Sequence, residues 1–297
     1  MITLAVVNRA ETFERMQSPL AQRGIELEHV PATGRSFPLS ADVATLVGVD
    51  PDAIDVGFVY PGRLMEGAVL DATLDVPWVN DREAVLTSRN KAGVLARLGN
   101  AGVPVPETVM LSSPIDEDEI LQAADRLGYP VVVKPNSTTR GTGVARAEDP
   151  DSLLGVCDYL DLVHDYRATG DKSFLLQEFL PNARDYRAMV MEGEYAGAVE
   201  RRLDDPNGNA NAEDDRWKHN VHRGAEATGV TLDDDRRELV ERVAGVLGID
   251  FLGVDLLATE DRIVVTETNA RPTIDAATKY EPGFYDRLAA LVRSRKR

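Results

Sequence analysis

Two neighbouring stretches near the C-terminus decide the fold: FLGVDLLA (Phe251–Ala258) and IVVTETNARP (Ile263 to Pro272). Each is a short apolar run of strand type. The four residues between them, TEDR at 259–262, are polar enough to turn. The sequence therefore predicts a β-hairpin.

Three polar side chains interrupt the apolar pattern of this hairpin: Asp255, Glu267 and Asn269. Glu267 and Asn269 are two apart on one strand and share a face, and Asp255 joins them if the turn sets it opposite Glu267. Two carboxylates and an amide on a rigid sheet suit Mg²⁺, which is usually held by one or two carboxylates together with substrate phosphates. The alternative interpretation is a half-exposed hairpin with polar residues on its solvated side.

The length of 297 residues allows two or three subdomains around a large core. We expect no membrane partner, because no run of about 18 apolar residues occurs, and the N-terminus MITLAVVNRAE resembles a first strand more than a signal peptide. The single cysteine, Cys157, cannot form an internal disulfide and is predicted to be a buried structural thiol. These features predict a cytoplasmic protein.

The composition is strongly acidic, with a net charge of −17 from 50 acidic and 33 basic residues. Only six of the basic residues are Lys, whereas 29 of the acidic residues are Asp. Acidic residues spread over the whole chain, together with few lysines, are typical of the surface of a halophilic protein. Molar salt screens the repulsion among the negative charges of such a surface. The same charge argues against nucleic acid as a partner.

Residues 1–86 alternate strand and helix patterns, which predicts a parallel sheet with helices on its faces. Ligands of such sheets bind at the carboxyl ends of the strands. Arg63 follows the strand that ends at Tyr60, so it is a candidate for binding a substrate carboxylate. A solvated loop arginine explains the pattern equally well.

The region after the first unit contains two lysines that are candidates for binding a ligand. A helix is predicted over 88–101, with Ser88 as N-cap and Lys91 in its first turn. Lys134 interrupts an apolar strand, and the loop 136–143 that follows is built of small and hydroxylated residues. Such a loop can offer backbone N–H groups to phosphate, although a plain hairpin loop has a similar composition. Lys91 could instead be a surface lysine, whereas an unpaired Lys134 would be costly to bury.

Six short motifs follow these lysines in a fixed order. They are QEFLP (177–181), DYR (185–187), ERR (200–202), NVHRG (220–224), GVDLL (253–257) and TETNARP (266–272). This ordered set is similar to the ATP-grasp superfamily and, within it, to the RimK-like carboxylate–amine ligases, which include α-L-glutamate ligases. The resemblance runs from about Ser88 to Pro272 and extends more loosely over the N-terminal unit.

The resemblance implies an α/β fold with α+β elements, arranged as an ATP-grasp fold. Its parts would be a parallel pre-ATP-grasp domain (1–86), a small lid subdomain (87–176) and a C-terminal mixed-sheet subdomain with the metal site (177–297). It also implies an ADP-forming reaction in which ATP phosphorylates a carboxylate and an amine attacks the acyl phosphate. Such a transfer depends on positive charge around the phosphates more than on covalent catalysis.

The resemblance assigns roles to named residues. The ATP-binding set would be Lys91, Lys134, the lid-loop residues Ser137, Thr138, Gly141, Thr142 and Gly143, the adenine-edge residues Gln177, Glu178, Phe179 and Leu180, and Asp185 near the ribose. The metal ligands for two Mg²⁺ ions, with Mn²⁺ as a substitute, would be Asp255, Glu267 and Asn269. The catalytic set would be Arg187, Arg202, Asn220 and Arg271. Among Arg201, Arg202, Asn220 and Arg223, at least two are expected to contact ligand, and the sequence does not rank them.

One departure from the family concerns substrate identity. Glutamate ligases of this group usually read N-A-S-P-G, beginning with the metal asparagine. This chain reads N-A-R-P-T from Asn269, so Arg271 occupies the third position. A guanidinium there can bind a carboxylate through two hydrogen bonds, so the amine donor is left open.

The reaction predicted is the addition of glutamate or a similar amino acid to a small-molecule or protein carboxylate. The alternatives are another ATP-grasp enzyme, such as a kinase or a D-amino-acid ligase, and a non-catalytic ATP-binding module. A homodimer is common among similar proteins, but the sequence does not determine the oligomeric state.

Overall fold

The computed structural model describes residues 1–7, 10–34, 36–37, 39, 49–138, 141–163, 171–203 and 225–296. Its strands are β1 (Ile2–Val6), β2 (Ile25–His29), β3 (Val56–Val59), β4 (Trp78–Asn80), β5 (Thr108–Ser112), β6 (Val131–Pro135), β7 (Ala145–Ala147), β8 (Ser173–Glu178), β9 (Arg184–Met191), β10 (Glu194–Leu203), β11 (Ala225–Val230), β12 (Phe251–Ala258) and β13 (Ile263–Asn269). Its α-helices are α1 (Ala10–Ala21), α2 (Leu64–Leu74), α3 (Arg82–Arg89), α4 (Lys91–Asn100), α5 (Glu117–Leu127), α6 (Pro150–Val163), α7 (Asp234–Leu247) and α8 (Phe284–Arg295). Short 3₁₀ turns cover Pro51–Ala53 and Ala277–Lys279.

The N-terminal sheet has the strand order β2-β1-β3-β4, and all of its pairings are parallel. The alternation of strands and helices therefore forms the parallel unit that the sequence predicts. Because α1 and α8 pack against each other and α8 also contacts β3 and β4, the last helix of the chain completes the first unit.

The middle sheet has the order β5-β8-β6-β7 with antiparallel pairings. Helices α5 and α6 pack on it and enclose a separate hydrophobic core that includes Ile120, Leu153 and Leu176. Cys157 belongs to this core, and burial raises the pKa of its thiol to about 12. The thiol is therefore buried and protonated at neutral pH, as expected for a structural cysteine.

The C-terminal sheet has the order β11-β10-β9-β12-β13, and all of its pairings are antiparallel. The N-terminal sheet is thus parallel, the middle and C-terminal sheets are antiparallel, and the C-terminal sheet does not mix the two kinds of pairing. Strands β12 and β13 form the predicted hairpin, which Thr259 N closes by donating to Arg262 O at 2.9 Å. This sheet shares hydrophobic clusters with the N-terminal sheet, for example through Trp78 and Leu252.

Residues 82–100 form two helices instead of the single helix predicted from Ser88. Asn90 interrupts the run with φ −80° and ψ 89°, and its side chain accepts from Gly93 N at 2.9 Å, so Asn90 caps α4. Asp81 caps α3, which places Ser88 inside that helix. The prediction of Ser88 as N-cap is therefore wrong, but Lys91 still opens a helix, and both helices contact β13.

Among the described residues, none of the helices combines the length and the apolar character that crossing a membrane requires.

Candidate active site

The β12–β13 hairpin brings together the three oxygen-bearing side chains that interrupt its apolar pattern. Asp255 lies opposite Glu267, as predicted, and Asn269 pairs with Gly253 two residues further along. Glu267 and Asn269 are half-buried, while their neighbour Thr268 is buried. The two polar side chains therefore share one face with Asp255.

The Asp255 carboxylate is buried and receives guanidinium groups from two other strands. Arg187 on β9 lies opposite Asp255 and donates through Nε and Nη2, each at 2.7 Å, to the two carboxylate oxygens. Arg201 Nη2 lies 3.2 Å from Asp255 Oδ2 and also binds Asp185. Burial alone would raise the pKa of Asp255, but the charges and hydrogen bonds of the two arginines outweigh it and hold the pKa well below the usual value of an aspartate.

Strand alternation separates the two arginines of the ERR motif. Arg201 is 8% exposed and faces Asp255, whereas Arg202 points to the other face of β10 and pairs with Glu200 at 2.9 Å. The Arg202 side chain is 67% exposed. The structure thus brings Arg201 to the hairpin, and it does not bring Arg202, which the family resemblance had assigned to the catalytic set.

Lys91 opens α4 and reaches the same hairpin from the other side. Its side chain is 6% exposed, and Nζ lies 3.6 Å from Glu267 Oε1. Nζ also donates to the backbone oxygens of Thr138 and, at 3.4 Å, Asn136. These contacts exclude the alternative of a surface lysine and place the ammonium between the hairpin and the loop after β6.

The loop after β6 begins with two buried polar residues. Asn136 Oδ1 accepts from Ala92 N at 2.9 Å, and Asn136 Nδ2 donates to Ser173 Oγ at 3.0 Å, so Asn136 ties the loop to α4. Ser137 Oγ is buried and has no hydrogen-bond partner among the described residues. Ser137 also borders a cavity of about 420 Å³ along α3 and α4. A buried hydroxyl without a partner is suited to a polar ligand atom.

Further along the loop, the described glycines adopt a backbone conformation that favours glycine. Gly141 and Gly143 have φ of +66° and +76°. A Cβ at Gly143 would lie 2.7 Å from Pro135 Cγ, so this position also lacks space for a side chain. Thr138 Oγ1 donates to Thr142 O at 2.9 Å and closes the turn, and residues 139–140 lie outside the described part.

Lys134 has an amide as its hydrogen-bond partner in place of a carboxylate. Its Nζ donates to Gln177 Oε1, and Gln177 Nε2 donates to Thr108 Oγ1 at 2.9 Å, which orients the amide. Burial lowers the pKa of Lys134 to about 8, with the negative charge of Glu267 acting in the opposite direction. An ammonium held in this way would be stabilised by an arriving anion.

The residues that the resemblance assigns to the adenine edge, 177–180, begin in β8 and continue beyond its end. Glu178 Oε1 accepts from Glu107 N at 2.7 Å, and Oε2 pairs with Arg262 in the β12–β13 turn, so this side chain links the middle sheet to the hairpin. Phe179 lies beneath Arg146, whose Cζ is 5.1 Å from the ring centroid. Phe179 and Leu180 are half-buried at the junction of the two sheets.

Arg271 bridges the hairpin and the N-terminal unit. Its backbone N donates to Asn269 Oδ1 at 2.8 Å, and its guanidinium lies against Gly62, where an added Cβ would be 2.0 Å from Nη1. Arg89 Nη2 donates to Gly62 O at 2.6 Å. Arg63, the other candidate at this strand end, is exposed and pairs with Glu66 at 3.3 Å.

Sequence reasoning missed two residues that support the hairpin from outside. Asn80 is 1% exposed at the end of β4; it donates to Phe251 O (2.5 Å) and Ala270 O (2.6 Å) and accepts from Phe251 N (3.3 Å). Ser88 Oγ accepts from Ala270 N at 2.9 Å. A polar residue that ends the apolar strand VPWVN was the available signal, because such a position meets the carboxyl edge of a parallel sheet.

Three polar residues of the NVHRG motif, Asn220, His222 and Arg223, lie outside the described residues. The predicted catalytic role of Asn220 therefore has no structural description.

The chemistry of the donor set fits a hard divalent cation. Within the described ranges, His, Cys, Asp and Glu side chains form no group of three or more that could hold a metal ion. The candidate is instead two carboxylates, Asp255 and Glu267, with the amide of Asn269 on the same face. Mg²⁺ is characteristically held by one or two carboxylates and completes its shell with waters and substrate phosphates.

Comparison with known proteins agrees with this architecture. The model of the RimK-like ATP-grasp domain matches residues 88–282. A probable alpha-L-glutamate ligase of Citrobacter koseri is 30% identical over 203 residues, covering 68% of this chain and 62% of that protein. Human N-acetylaspartylglutamate synthase A is 30% identical over 195 residues, covering 65% of this chain and 46% of that protein. In structure, the chain is similar to the RimK domain protein ATP-grasp from Sphaerobacter thermophilus, with a TM-score of 0.67, 22% identity and coverage of 98% and 99% of the two chains.

The chain spans about 62% of the length of the first of these curated relatives. The matched region nevertheless contains Lys91, Lys134, the loop after β6, both arginines that bind Asp255, and the complete hairpin. The fold is the ATP-grasp fold, and the chain belongs to the RimK-like ATP-grasp family.

Proposed function

We propose that the chain is an ATP-dependent, ADP-forming ligase that joins a carboxylate to an amine through an acyl phosphate. The observation that carries this proposal is the convergence of Lys91, Arg187 and Arg201 on the face that holds Asp255 and Glu267. A phosphoryl transfer needs positive charge and oxygen ligands in this arrangement. Family membership and the names of the two relatives point to the same class.

Nucleotide binding is proposed for the groups that surround this face. Lys91 and Lys134 would neutralise the phosphates, and Ser137, Thr138, Gly141, Thr142 and Gly143 would close over them. Gln177, Glu178, Phe179 and Leu180 would border the adenine at the junction between β8 and β9. The partnerless hydroxyl of Ser137 and the backbone of the two left-handed glycines support the phosphate assignment.

Asp185 is proposed to lie near the ribose. Its side chain also binds Arg201, so we propose that it supports Arg201 as well.

Asp255, Glu267 and Asn269 would hold Mg²⁺, in two ions as family resemblance implies, with Mn²⁺ as a substitute. When bound, the metal supplies charge neutralisation at the β- and γ-phosphates. Arg187 would contact the transferring phosphoryl group. Closure of the loop after β6 would keep water away from the acyl phosphate, which water would otherwise hydrolyse.

The proposed substrates are an amino acid such as glutamate as amine donor and a small metabolite or protein as carboxylate acceptor. The glutamate in the names of both relatives supports an acidic donor. Arg271 supports it as well, because its guanidinium lies against Gly62, just beyond the carboxyl end of β3, where ligands of parallel sheets bind. Asn220 and Arg202 remain candidates for substrate contact, although Arg202 would have to leave Glu200 to make one.

We also propose a cytoplasmic, halophilic protein. The net charge of −17 and the scarcity of lysine support a surface adapted to high salt, and the single buried thiol is compatible with a reducing compartment. The division into units at 1–86, 87–176 and 177–297, and a homodimeric assembly, are further parts of the proposal.

The test of this function is an ADP- and phosphate-release assay in molar KCl with Mg²⁺. A panel of carboxylates is crossed with a panel of amino acids, and Glu267→Gln serves as the inactive control. We expect turnover that needs both a carboxylate and an amine and is lost in the variant. ADP release with a carboxylate alone and a stable phosphorylated product would identify a kinase. ATP binding without ADP release across the panel would point to a binding module.

A further inference from the structure

Each oxygen donor proposed for the metal is already bound to a basic or N–H group of the protein. Asp255 is bound by Arg187 and Arg201, Glu267 by Lys91, and Asn269 Oδ1 by the backbone N of residue 271. Guanidinium and ammonium groups are also the side chains that typically bind phosphate. The metal-binding anions and the phosphate-binding cations therefore neutralise each other in this structure.

The directly paired charges of this cluster balance, and Lys134, whose hydrogen-bond partner is the Gln177 amide, lies beside them as a further cation. Asp185, Asp255 and Glu267 contribute three negative charges, and Lys91, Arg187 and Arg201 contribute three positive charges. Asp255 and the side chains of Lys91 and Arg201 are all less than a tenth exposed. Buried charges are tolerated only when they are paired, so removing one partner without replacing it is costly.

A metal ion arriving alone would take the carboxylates and leave buried cations beside a dication. A nucleotide arriving alone would take the cations and leave buried carboxylates beside a polyanion. With both bound, Asp255 and Glu267 would pair with the metal, and Lys91, Arg187 and Arg201 would pair with the phosphates. Only this combined exchange leaves every buried charge with a partner of opposite sign.

We propose that the site binds Mg²⁺ and the nucleotide triphosphate as one unit by this exchange of ion-pair partners, and that Arg201 is the positioning residue that enforces it. Arg201 holds Asp255 from one side and is itself held by Asp185 through Nε at 3.1 Å and through Nη2. It keeps Asp255 occupied until phosphate is present. The proposal rests on the ATP-dependent function proposed above.

The decisive measurement is the affinity of the protein for Mn²⁺ in the absence of nucleotide. It is obtained from the electron paramagnetic resonance signal of free Mn²⁺. In the intact protein, we expect weak Mn²⁺ binding, because two guanidinium groups occupy Asp255. Arg201→Gln removes one of them and should tighten Mn²⁺ binding by about tenfold, a change within the usual range of site–site coupling. A purely structural role for Arg201 would leave Mn²⁺ affinity unchanged or weaken it, and that result would overturn the proposal.

Two controls separate this effect from general electrostatics. Arg184→Gln removes an arginine from β9 as well, but Arg184 lies on the face of the sheet opposite to Asp255 and pairs with Glu200 at 2.8 Å, so Mn²⁺ affinity should stay constant. Lys134→Gln removes a nearby cation whose partner is an amide. Its effect on Mn²⁺ binding should be much smaller than that of Arg201→Gln, and an equal effect would contradict the exchange. Arg201→Lys keeps a cation at the position and should give an intermediate affinity, which keeps the test open if the glutamine variant does not fold.

The second measurement is calorimetric binding of adenosine 5′-(β,γ-imido)triphosphate with saturating Mg²⁺ and with a chelator. Intact protein should lose most of its nucleotide affinity without metal, and Arg201→Gln should reduce that difference. Binding with equal affinity under both conditions would refute the exchange and leave the ligase proposal standing. No nucleotide binding under either condition would refute both.

Discussion

At the scale of single residues, strand alternation decides which arginine enters the site. Arg201 and Arg202 are adjacent in the ERR motif, and sequence alone does not rank them. Because successive side chains point to opposite faces of a strand, only one can reach Asp255. The structure assigns that position to Arg201, while Arg202 pairs with Glu200 near the solvent.

Lys134 should make nucleotide binding depend on pH. Its lowered pKa of about 8 means that the folded protein carries the ammonium below that pH and loses it above. A bound triphosphate favours the protonated form, so nucleotide affinity should be full below about pH 8 and fall about tenfold as pH rises beyond it. Calorimetric titrations between neutral and alkaline pH measure this directly. Lys134→Met should bind more weakly with a flat profile, and a flat profile in the intact protein would contradict the prediction.

Gly62 should determine how Arg271 is presented to substrate. Gly62→Ala places a Cβ where the guanidinium now lies, at 2.0 Å from Nη1, so the flexible side chain must move away. We expect the KM of the anionic substrate to rise about tenfold, the scale of one lost charge-assisted contact, with little change in the KM of ATP.

Arg271→Ser should reproduce the effect of Gly62→Ala on the substrate. Gly155→Ala, at a glycine with open space around it, should change neither constant and serves as the matched control. An unchanged substrate KM in Gly62→Ala would remove Arg271 from the substrate site.

At the scale of elements, the β12–β13 hairpin is held by the N-terminal sheet. Asn80 at the end of β4 hydrogen-bonds the start of β12 and the turn after β13, and Ser88 on α3 binds Ala270 N. Helix α4 adds Lys91 beside Glu267. The site is thus assembled where the carboxyl edge of the parallel sheet meets the antiparallel hairpin, and residues distant in sequence become neighbours.

Asn80→Ala should destabilise the protein by about 2–6 kcal/mol, because it removes the donor from two buried carbonyl groups at roughly 1–3 kcal/mol each. Urea unfolding, monitored by circular dichroism, measures the loss in the free energy of unfolding. Asn80→Asp keeps the shape but supplies no N–H donor, so it should not restore stability. Recovery in the aspartate variant would show that shape, and not hydrogen bonding, accounts for the role of Asn80.

At the scale of the whole molecule, two bodies with separate cores meet at the site. The N-terminal and C-terminal sheets share hydrophobic clusters, whereas the middle sheet has its own core with α5 and α6. The Glu178–Arg262 ion pair and the contacts of Lys91 with the loop after β6 join the two bodies. Domains joined by few contacts of this kind commonly move relative to one another.

The net charge of −17 should make stability depend strongly on salt. Raising KCl from low to molar concentration shortens the Debye length to about 3 Å and suppresses repulsion among carboxylates. We expect the Tm to rise by several degrees, measured by differential scanning calorimetry. Sodium chloride at equal ionic strength should act similarly, and a Tm that falls with either salt would contradict the halophilic assignment.

The sequence by itself determined the strands, the hairpin and the groups that can carry charge in the site. Short apolar runs and period-two alternation predicted that Glu267 and Asn269 share a face, because strand geometry depends on local sequence, and Asp255 joins them through the register of the hairpin. The ordered motifs identified the family. The break at Asn90 was missed, because a helix cap within a helical pattern depends on a single side-chain hydrogen bond.

Only the tertiary structure decided which charges meet. That Arg201 faces Asp255, that Lys91 pairs with Glu267, and that Asn80 supports the hairpin all depend on contacts between elements far apart in the chain. Arg271 and Gly62 come together for the same reason. A residue's own pattern specifies its face on a strand or helix, but its partner is set by the packing of three sheets, which no local pattern encodes.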